Sequence, residues 1–349
     1  MADKKRVSWI DCSKAIAIML VIFEHFIIST SEYNSHFENI IMVIISTFHM
    51  PLFFILSGMV YRQDVFVSFI KKKIIRLLLP YLLFCFLYFC SSILYYLFLG
   101  KASDYLYAVA NVDNIANTLL INSNSIFSGY WFLPVLFVAL VGYSLVLKVN
   151  NIYQVLILIF GIGIAVECGE QRIMLPFGIG EAMLAMPFIF IGHKIKQLNY
   201  SVIEDKFLLI KMLPIWGGGI WYWKYKEYGN VSMYNSIVVD CNFFYLLGIT
   251  GSLLSIALIR HIIIQNTILS EVFKTIGVNS LYIYGLHYFF VGGMIQVFKV
   301  QLIEYSEYKI VFEIIGTVLT VVLCMVIIRI TNRLLHKMVL KQYPRGRNK

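Results

Sequence analysis

Charged residues are scarce in this sequence. Only 14% of its 349 residues are Asp, Glu, Lys or Arg, whereas 60% are hydrophobic. Soluble globular domains carry about 25% charged residues, so a soluble fold is excluded. The six cysteines form no Cys-x-x-Cys pair, and the sequence therefore predicts neither a zinc site nor a disulfide framework. We expect the cysteines to serve as packing residues and predict no bound metal.

Internal repeats, low-complexity tracts and long linkers are also lacking. We therefore predict one domain over residues 1–349, with a core at 6–335 and a basic cytoplasmic tail at 336–349. The longest polar loop covers residues 100–125. The first apolar run contains Glu24 and His25 and lacks a small-residue cleavage site, so we expect it to be retained rather than removed as a signal peptide.

Long apolar runs dominate the chain. A helix needs about 20 residues to cross a hydrocarbon core of about 30 Å. Ten runs have this length and predict an all-α, polytopic membrane bundle of about ten transmembrane helices: 10–30, 39–61, 77–99, 126–147, 149–167, 174–193, 207–225, 241–260, 276–298 and 310–331.

The basic residues fall mostly on one side when the loops are assigned alternately to the two faces of the membrane. With the N-terminus inside, 23 of the 29 Lys and Arg lie inside, and the outer six are Lys101, Arg172, Lys224, Lys226, Lys299 and Lys309. Cytoplasmic loops carry this excess, so both termini are predicted to be cytoplasmic, with the protein in the cell (cytoplasmic or inner) membrane. The membrane topology thus explains the net charge of +10. We expect membrane lipids to be the partners of the basic residues and predict no binding of nucleic acid.

The first run contains the densest set of ionisable residues, and such groups are costly inside a membrane. Lys14 and His25 are eleven residues apart, which returns a helix to within about 20° of the same face about 16 Å farther along. This spacing suits a long ligand with an anionic head at Lys14 and a reacting atom near His25, the form of coenzyme A. Alternatively, Lys14 extends to the interface and His25 bonds a neighbouring helix. Asp11 is expected to contact Lys14 at i,i+3.

Two further segments favour a polar cavity. Pro51 frees a backbone carbonyl and Ser57-Gly58 permits a close helix contact, which predicts a kinked second helix that lines a cavity. Before the third run stand Lys71, Lys72, Lys73 and Arg76. These cations either neutralise phosphate or serve as an ordinary inside anchor.

The later runs add aromatic and polar candidates. Trp131 opens the fourth run, where such a ring forms an interfacial belt or stacks on a sugar. Glu181 lies deeper than Arg172 at the outer mouth of the sixth run, a place where a carboxylate can bind a polar acceptor.

A polar stripe marks the ninth run. Ser280, Tyr284 and His287 share one helix face there. Together with His25 and His49, His287 favours a buried polar site.

These motifs, in this order, resemble those of the acyltransferase type 3 family, and within it the fucose-acetylase-like proteins. The first-helix motif, a basic residue followed by ten residues and a histidine, corresponds to Lys14 and His25. Phe-Phe-x-x-Ser-Gly is complete at 53–58. The basic pair three apart falls on Lys73 and Arg76, where Lys73 replaces the usual arginine and loses a bidentate phosphate fork. The segments around Trp131 and from 279 to 287 are similar to the later signatures.

The resemblance implies transfer of an acyl group, most simply acetyl, from cytoplasmic acetyl-CoA to a hydroxyl of a surface polysaccharide or lipid-linked glycan. His25 would then be a general base or carry the acyl group itself. The predicted site comprises catalytic His25 and Glu24; CoA-binding Lys14, Lys73, Arg76 and Lys72; and substrate-binding Ser57, Trp131, Glu181 and His287.

A proton-coupled transporter or flippase is the main alternative, with His25, Glu24 and Glu181 as an ion relay. The inverted repeats and paired broken helices of many transporters are lacking. A non-catalytic scaffold would leave the shared face of Lys14 and His25 unexplained. The sequence does not identify the acceptor sugar or its ring position, nor whether the acyl group is acetyl or longer. It also leaves open whether oxygen or nitrogen accepts the group and whether the protein forms a homo-oligomer.

Overall fold

A computed structural model describes residues 7–30, 36–101, 127–229, 233–236, 238–304 and 308–342. Between 102 and 126 it describes only positions 103, 106, 109, 111 and 114, so the polar loop expected at 100–125 lies almost entirely outside the described residues.

The described chain is built from helices, with no strand among these residues. The long helices are α1 (Ser8–Ser29), α2 (His36–Met59), α3 (Phe66–Phe98), α4 (Phe132–Val146), α5 (Asn151–Glu170), α6 (Ile179–Gln197), α7 (Leu208–Tyr225), α8 (Cys241–Ile263), α9 (Thr267–Val278), α10 (Ser280–Glu304) and α11 (Lys309–Gln342). Short helical turns occupy Ser128–Tyr130, Pro176–Gly178, Ser201–Glu204 and Met233–Asn235. The helices α3 and α8 include π-helical segments, Ile74–Leu78 and Ile259–Ile263.

Each of the ten predicted runs coincides with one of these helices, which confirms the all-α polytopic membrane bundle. Within the described residues, seven helices are long and apolar enough to cross a membrane, and α4 and part of α10 are shorter apolar helices. The helix α7, which contains Lys211 and Lys224, is not among the seven. The separate helix α9 was not predicted: it precedes the ninth span, and Asn279 ends it before Ser280 begins α10. The last helix continues to Gln342, through part of the segment expected as a tail.

The centre of the bundle is α2, which packs against α1, α6 and α8. In its most apolar stretch of 18 residues, 72% of α2 is buried inside the protein. The corresponding share for the peripheral α3 is 17%. A Cβ at Gly58 would overlap the carbonyl oxygen of Ile189, and one at Gly192 would overlap that of Ile55. Small residues permit such close helix contacts, so the contact predicted at Ser57-Gly58 is confirmed as the crossing of α2 and α6.

The helix that carries Lys14 and His25 is fixed near its start. There α1 packs on α9 so closely that a Cβ at Gly277 would overlap the Asp11 carbonyl oxygen.

A buried ion cluster fixes the far end of α1. Thr30 donates a hydrogen bond of 2.8 Å to Glu313, and Lys309 lies 3.5 Å from the carboxylates of Glu313 and Glu38. The cluster ties α1 to α2 and α11. All six cysteines are free, as expected.

Candidate functional site

A cavity of about 500 Å³ opens between α1, α2, α3, α4 and α10, on the predicted cytoplasmic side. Three cations line it, Lys14 from α1 and Lys73 with Arg76 from α3, and no acidic side chain is among its described lining residues. Ser57 and Tyr284 also line it. The cavity therefore brings together four of the ten predicted site residues, Lys14, Ser57, Lys73 and Arg76, and has the charge that suits an anionic ligand.

The local structure of α3 decides which cations reach the cavity. Lys73 is followed at once by the π-helical segment Ile74–Leu78, which contains Arg76. Single π-helical turns are frequent at functional sites, because the extra residue per turn redirects side chains. The predicted CoA ligand Lys72 is absent from the lining and instead forms an exposed ion pair with Asp64. This hydrogen bond lowers the pKa of the Asp64 carboxyl.

Lys14 has a partner within its own helix. Its ammonium lies 3.3 Å from the carboxylate of Asp11, which is buried at 2% exposure. The i,i+3 contact predicted from the sequence is thereby confirmed. Because an ammonium has three donors, Lys14 can keep this contact and still bind a phosphate.

A cluster of rings surrounds His25. The Tyr288 hydroxyl lies 3.1 Å from His25 Nε2 and 3.5 Å from Nδ1. The ring centroid of His287 lies 5.2 Å from that of His25 and 4.4 Å from that of Tyr288. The structure thus brings His25 and His287 together, although they are far apart in sequence.

His287 carries an unsatisfied nitrogen. Its Nδ1 lies 2.6 Å from the Tyr284 carbonyl oxygen, so Nδ1 holds a proton and donates it. In the neutral ring this leaves Nε2 as an acceptor, and Nε2 is buried with no hydrogen-bond partner among the described residues. An unmade buried hydrogen bond costs about 1–3 kcal/mol, which favours a ligand hydroxyl or a water at this position.

Glu24 does not orient His25. Its carboxylate lies 3.0 Å from Nε2 of His49, whose Nδ1 lies 2.8 Å from the Ile45 carbonyl oxygen. Both nitrogens of His49 face oxygen acceptors, an arrangement that a doubly protonated imidazolium satisfies. The structure therefore places the predicted catalytic Glu24 in an ion pair with His49, beside the His25 cluster.

Tyr284 joins the cavity to the ring cluster. It lines the cavity, and its ring centroid lies 5.7 Å from that of His287. Its hydroxyl donates to the Gly129 carbonyl oxygen at 3.0 Å and accepts from the Phe132 N–H at 3.3 Å. These two bonds fix the Tyr284 ring, which is thus both a lining residue of the cavity and a neighbour of the histidine cluster.

The remaining predicted residues stand at helix ends that the sequence assigns to the outer side. Glu181, in the first turn of α6, lines a pocket of about 260 Å³ together with Arg172 and Ser236. The ring centroid of Trp131 lies 6.0 Å from that of Tyr234. Neither Trp131 nor Glu181 lines the cavity around Lys14. The structure thus separates the predicted substrate residues into an inner and an outer group.

Sequence reasoning missed Tyr288. It follows His287 by one residue, and hence lies about 100° around the helix from the stripe that periodicity singles out. No local signal marks it, because its contact with His25 depends on how α10 packs on α1. Among the described residues, no His, Cys, Asp and Glu side chains group in a way that would hold a metal ion.

The fold and site define a polytopic helical membrane protein in which buried histidines lie next to a cation-lined cavity. A family model described as an acyltransferase domain matches residues 7–329. The chain belongs to the acyltransferase type 3 family and is a membrane acyltransferase. No match is found among curated proteins or among solved structures.

Proposed function

We propose that this protein transfers an acetyl group from acetyl-CoA to a hydroxyl of a surface polysaccharide or a lipid-linked glycan. One observation carries the proposal: Tyr284 lines the cavity that contains Lys14, Lys73 and Arg76, and its ring lies beside His287, which in turn lies beside His25. An anionic donor that enters from the predicted cytoplasmic side would thus direct its far end towards a buried base.

The cavity suits the donor in charge and in size. Coenzyme A carries phosphates, which lysine and arginine bind through charge-assisted hydrogen bonds. Ligand pockets commonly measure about 300–1,000 Å³, a range that includes this cavity. The distance of about 16 Å along α1 from Lys14 to His25 matches the extended pantetheine arm, so the thioester would lie near the imidazole.

Acyl transfer requires a base that takes the proton of the acceptor hydroxyl and a path by which that proton reaches the departing thiolate. The acceptor hydroxyl oxygen attacks the thioester carbonyl carbon, a C–O bond forms and the C–S bond breaks. His25 takes the hydroxyl proton and passes it to the departing thiolate, which gives the ester and free coenzyme A. Such general-base catalysis typically contributes about a hundred- to ten-thousand-fold. The Tyr288 hydroxyl positions the His25 ring, and Nε2 of His287 is placed to accept a hydrogen bond from the acceptor.

The outer group of residues supports a carbohydrate acceptor. Glu181 and Arg172 offer a carboxylate and a guanidinium that hydrogen-bond hydroxyl groups, and Ser236 adds a small polar side chain. The neighbouring rings of Trp131 and Tyr234 suit the apolar face of a sugar. In this arrangement the donor and the acceptor approach His25 from opposite sides of the membrane.

The test is an assay of purified protein in proteoliposomes with acetyl-CoA labelled in its acetyl group. We expect label to move to the surface polysaccharide of the source cells, with one free thiol released for each acetyl transferred, and O-acetyl signals to appear in the proton NMR spectrum of the product. Proton-coupled uptake of a substrate without acetyl transfer would overturn the proposal in favour of a transporter. Transfer of a longer acyl chain in preference to acetyl would overturn the donor assignment alone.

A further inference from the structure

A larger cavity, of about 1210 Å³, lies between α9 and α11 and is open to the outside of the bundle. We call it the α9–α11 groove. Its walls are apolar, with Val272 and Ile276 on α9 and Val322 and Val326 on α11. Val272, Val322 and Val326 are each about half exposed. The groove is thus an apolar surface that the rest of the described chain does not cover.

The length of the groove corresponds to one leaflet of a bilayer. Its lining on α11 extends from Val321 to Arg333, twelve residues farther along the chain, or about 18 Å along the helix axis. Half of a hydrocarbon core of about 30 Å is about 15 Å, so the groove reaches from near the bilayer centre to the headgroup level. The basic residues of α11 that line the groove, Arg329 and Arg333, lie towards its predicted cytoplasmic end.

Two arginines form that end of the groove. Arg329 and Arg333 are four residues apart, both are exposed, and neither forms an ion pair with a described residue. The groove also contains one carboxylate, that of Glu271, which is paired with Lys274 at 3.0 Å. Two guanidinium groups one turn apart can bind a phosphate through parallel hydrogen bonds.

We propose that the α9–α11 groove binds one anionic glycerophospholipid of the cytoplasmic leaflet, with its acyl chains on the apolar walls and its phosphate on Arg329 and Arg333. Basic pockets between transmembrane helices on the cytoplasmic side suit anionic headgroups. The chain's own segment 343–349 is a poorer occupant, because it carries Arg345, Arg347 and Lys349 and repels the same arginines. The proposal does not depend on the acyl-transfer chemistry.

Such a lipid would hold α9 against α11. The consequence for the site is geometric, because α9 also borders the donor cavity through Gly277 and Val278 and packs on α1 at Asp11, three residues from Lys14. An anionic lipid would therefore help to fix the cavity's cationic entrance.

The experiment is native mass spectrometry of the purified full chain, delipidated and then titrated with dioleoylphosphatidylglycerol or dioleoylphosphatidylcholine. We expect one tight phosphatidylglycerol adduct and at least about tenfold weaker binding of phosphatidylcholine, since a charged phosphate contact is worth about 1.5–3 kcal/mol. Arg329→Gln with Arg333→Gln should remove that preference. Lys206→Gln with Lys211→Gln, which removes the same charge from the predicted cytoplasmic side away from the groove, should retain it.

A second variant tests the apolar walls. Val326→Phe keeps every charge and fills part of the groove, so it should weaken the adduct while leaving the folded yield unchanged. Equal binding of the two lipids, or an undiminished adduct in the arginine variant, would overturn the proposal. So would a dimer that forms through this face and disappears when Val326→Phe is introduced, because the occupant would then be a second copy of the chain.

Discussion

The inner cavity around Lys14 and the outer pocket around Glu181 differ in charge and in size. The inner cavity of about 500 Å³ carries three cations and no described acidic side chain, whereas the outer pocket of about 260 Å³ combines one carboxylate, one guanidinium and one hydroxyl. The first suits a long polyanion and the second a neutral polyhydroxyl group. Under the proposed function, this difference would let the protein recognise the donor by charge and the acceptor by hydrogen bonds to hydroxyl groups.

The largest expected effect comes from His25, the proposed general base. His25→Ala should lower kcat for acetyl transfer at least about a hundredfold, because the attacking hydroxyl loses its general base. The measurement is release of free thiol from acetyl-CoA in the presence of acceptor. His261→Ala, which removes an exposed histidine of α8, is the matched control and should leave kcat unchanged. A wild-type rate in His25→Ala would show that the reaction takes place elsewhere.

Removal of the cations of the inner cavity should weaken binding of the donor and leave binding of the acceptor unchanged. Lys73→Ala with Arg76→Ala should raise KM for acetyl-CoA about tenfold or more and leave KM for the acceptor unchanged, since charge-assisted hydrogen bonds to phosphate are lost. Steady-state kinetics with each substrate varied in turn checks this.

The control for that pair is Lys71→Ala with Lys72→Ala. It removes the same charge from the same helix, but neither residue lines the cavity. We expect a small change in KM for acetyl-CoA. An equal rise in both double variants would mean that the cluster attracts the donor only by its total charge, and the assignment of Lys73 and Arg76 would be wrong.

A substitution in the outer pocket should have the opposite effect: it should weaken binding of the acceptor and leave binding of the donor unchanged. Glu181→Gln should raise KM for the acceptor by about five- to tenfold, because a charge-assisted hydrogen bond becomes an ordinary one, a loss of about 1–1.4 kcal/mol, with KM for acetyl-CoA unchanged. Glu170→Gln replaces a carboxylate at the end of α5 that does not line the pocket and should have no effect. A change in KM for acetyl-CoA instead would contradict the assignment of donor and acceptor to separate pockets.

The smallest expected effect concerns the position of the base. Tyr288→Phe removes the hydroxyl beside His25 and should lower kcat about fivefold, the value of one ordinary hydrogen bond, without changing either KM. Tyr225→Phe, at an exposed tyrosine of α7, is the control. If Tyr288→Phe abolishes transfer as fully as His25→Ala does, the hydroxyl takes part in the chemistry itself, and its assignment as a positioning group fails.

Much of the site was predictable because it depends on local geometry. The helical period places Lys14 below His25 on one face, and it groups Ser280, Tyr284 and His287 on another. The choice of Lys73 and Arg76 over Lys72 was only partly predictable, since it depends on the π-helical turn at Ile74–Leu78. The cost of charge in lipid marked Glu24 as unusual, but it did not reveal its partner.

The sequence by itself determined the helices that cross the membrane and the residues that share a face within each, because hydrophobic length and helical period are properties of a local segment. Only the tertiary structure decided that Glu24 pairs with His49, that Tyr288 contacts His25, and that Gly58 and Gly192 meet at one crossing. These contacts join residues from different helices. They depend on the rotation and depth at which the helices pack, and small residues and interhelical hydrogen bonds fix both only once the whole bundle is assembled.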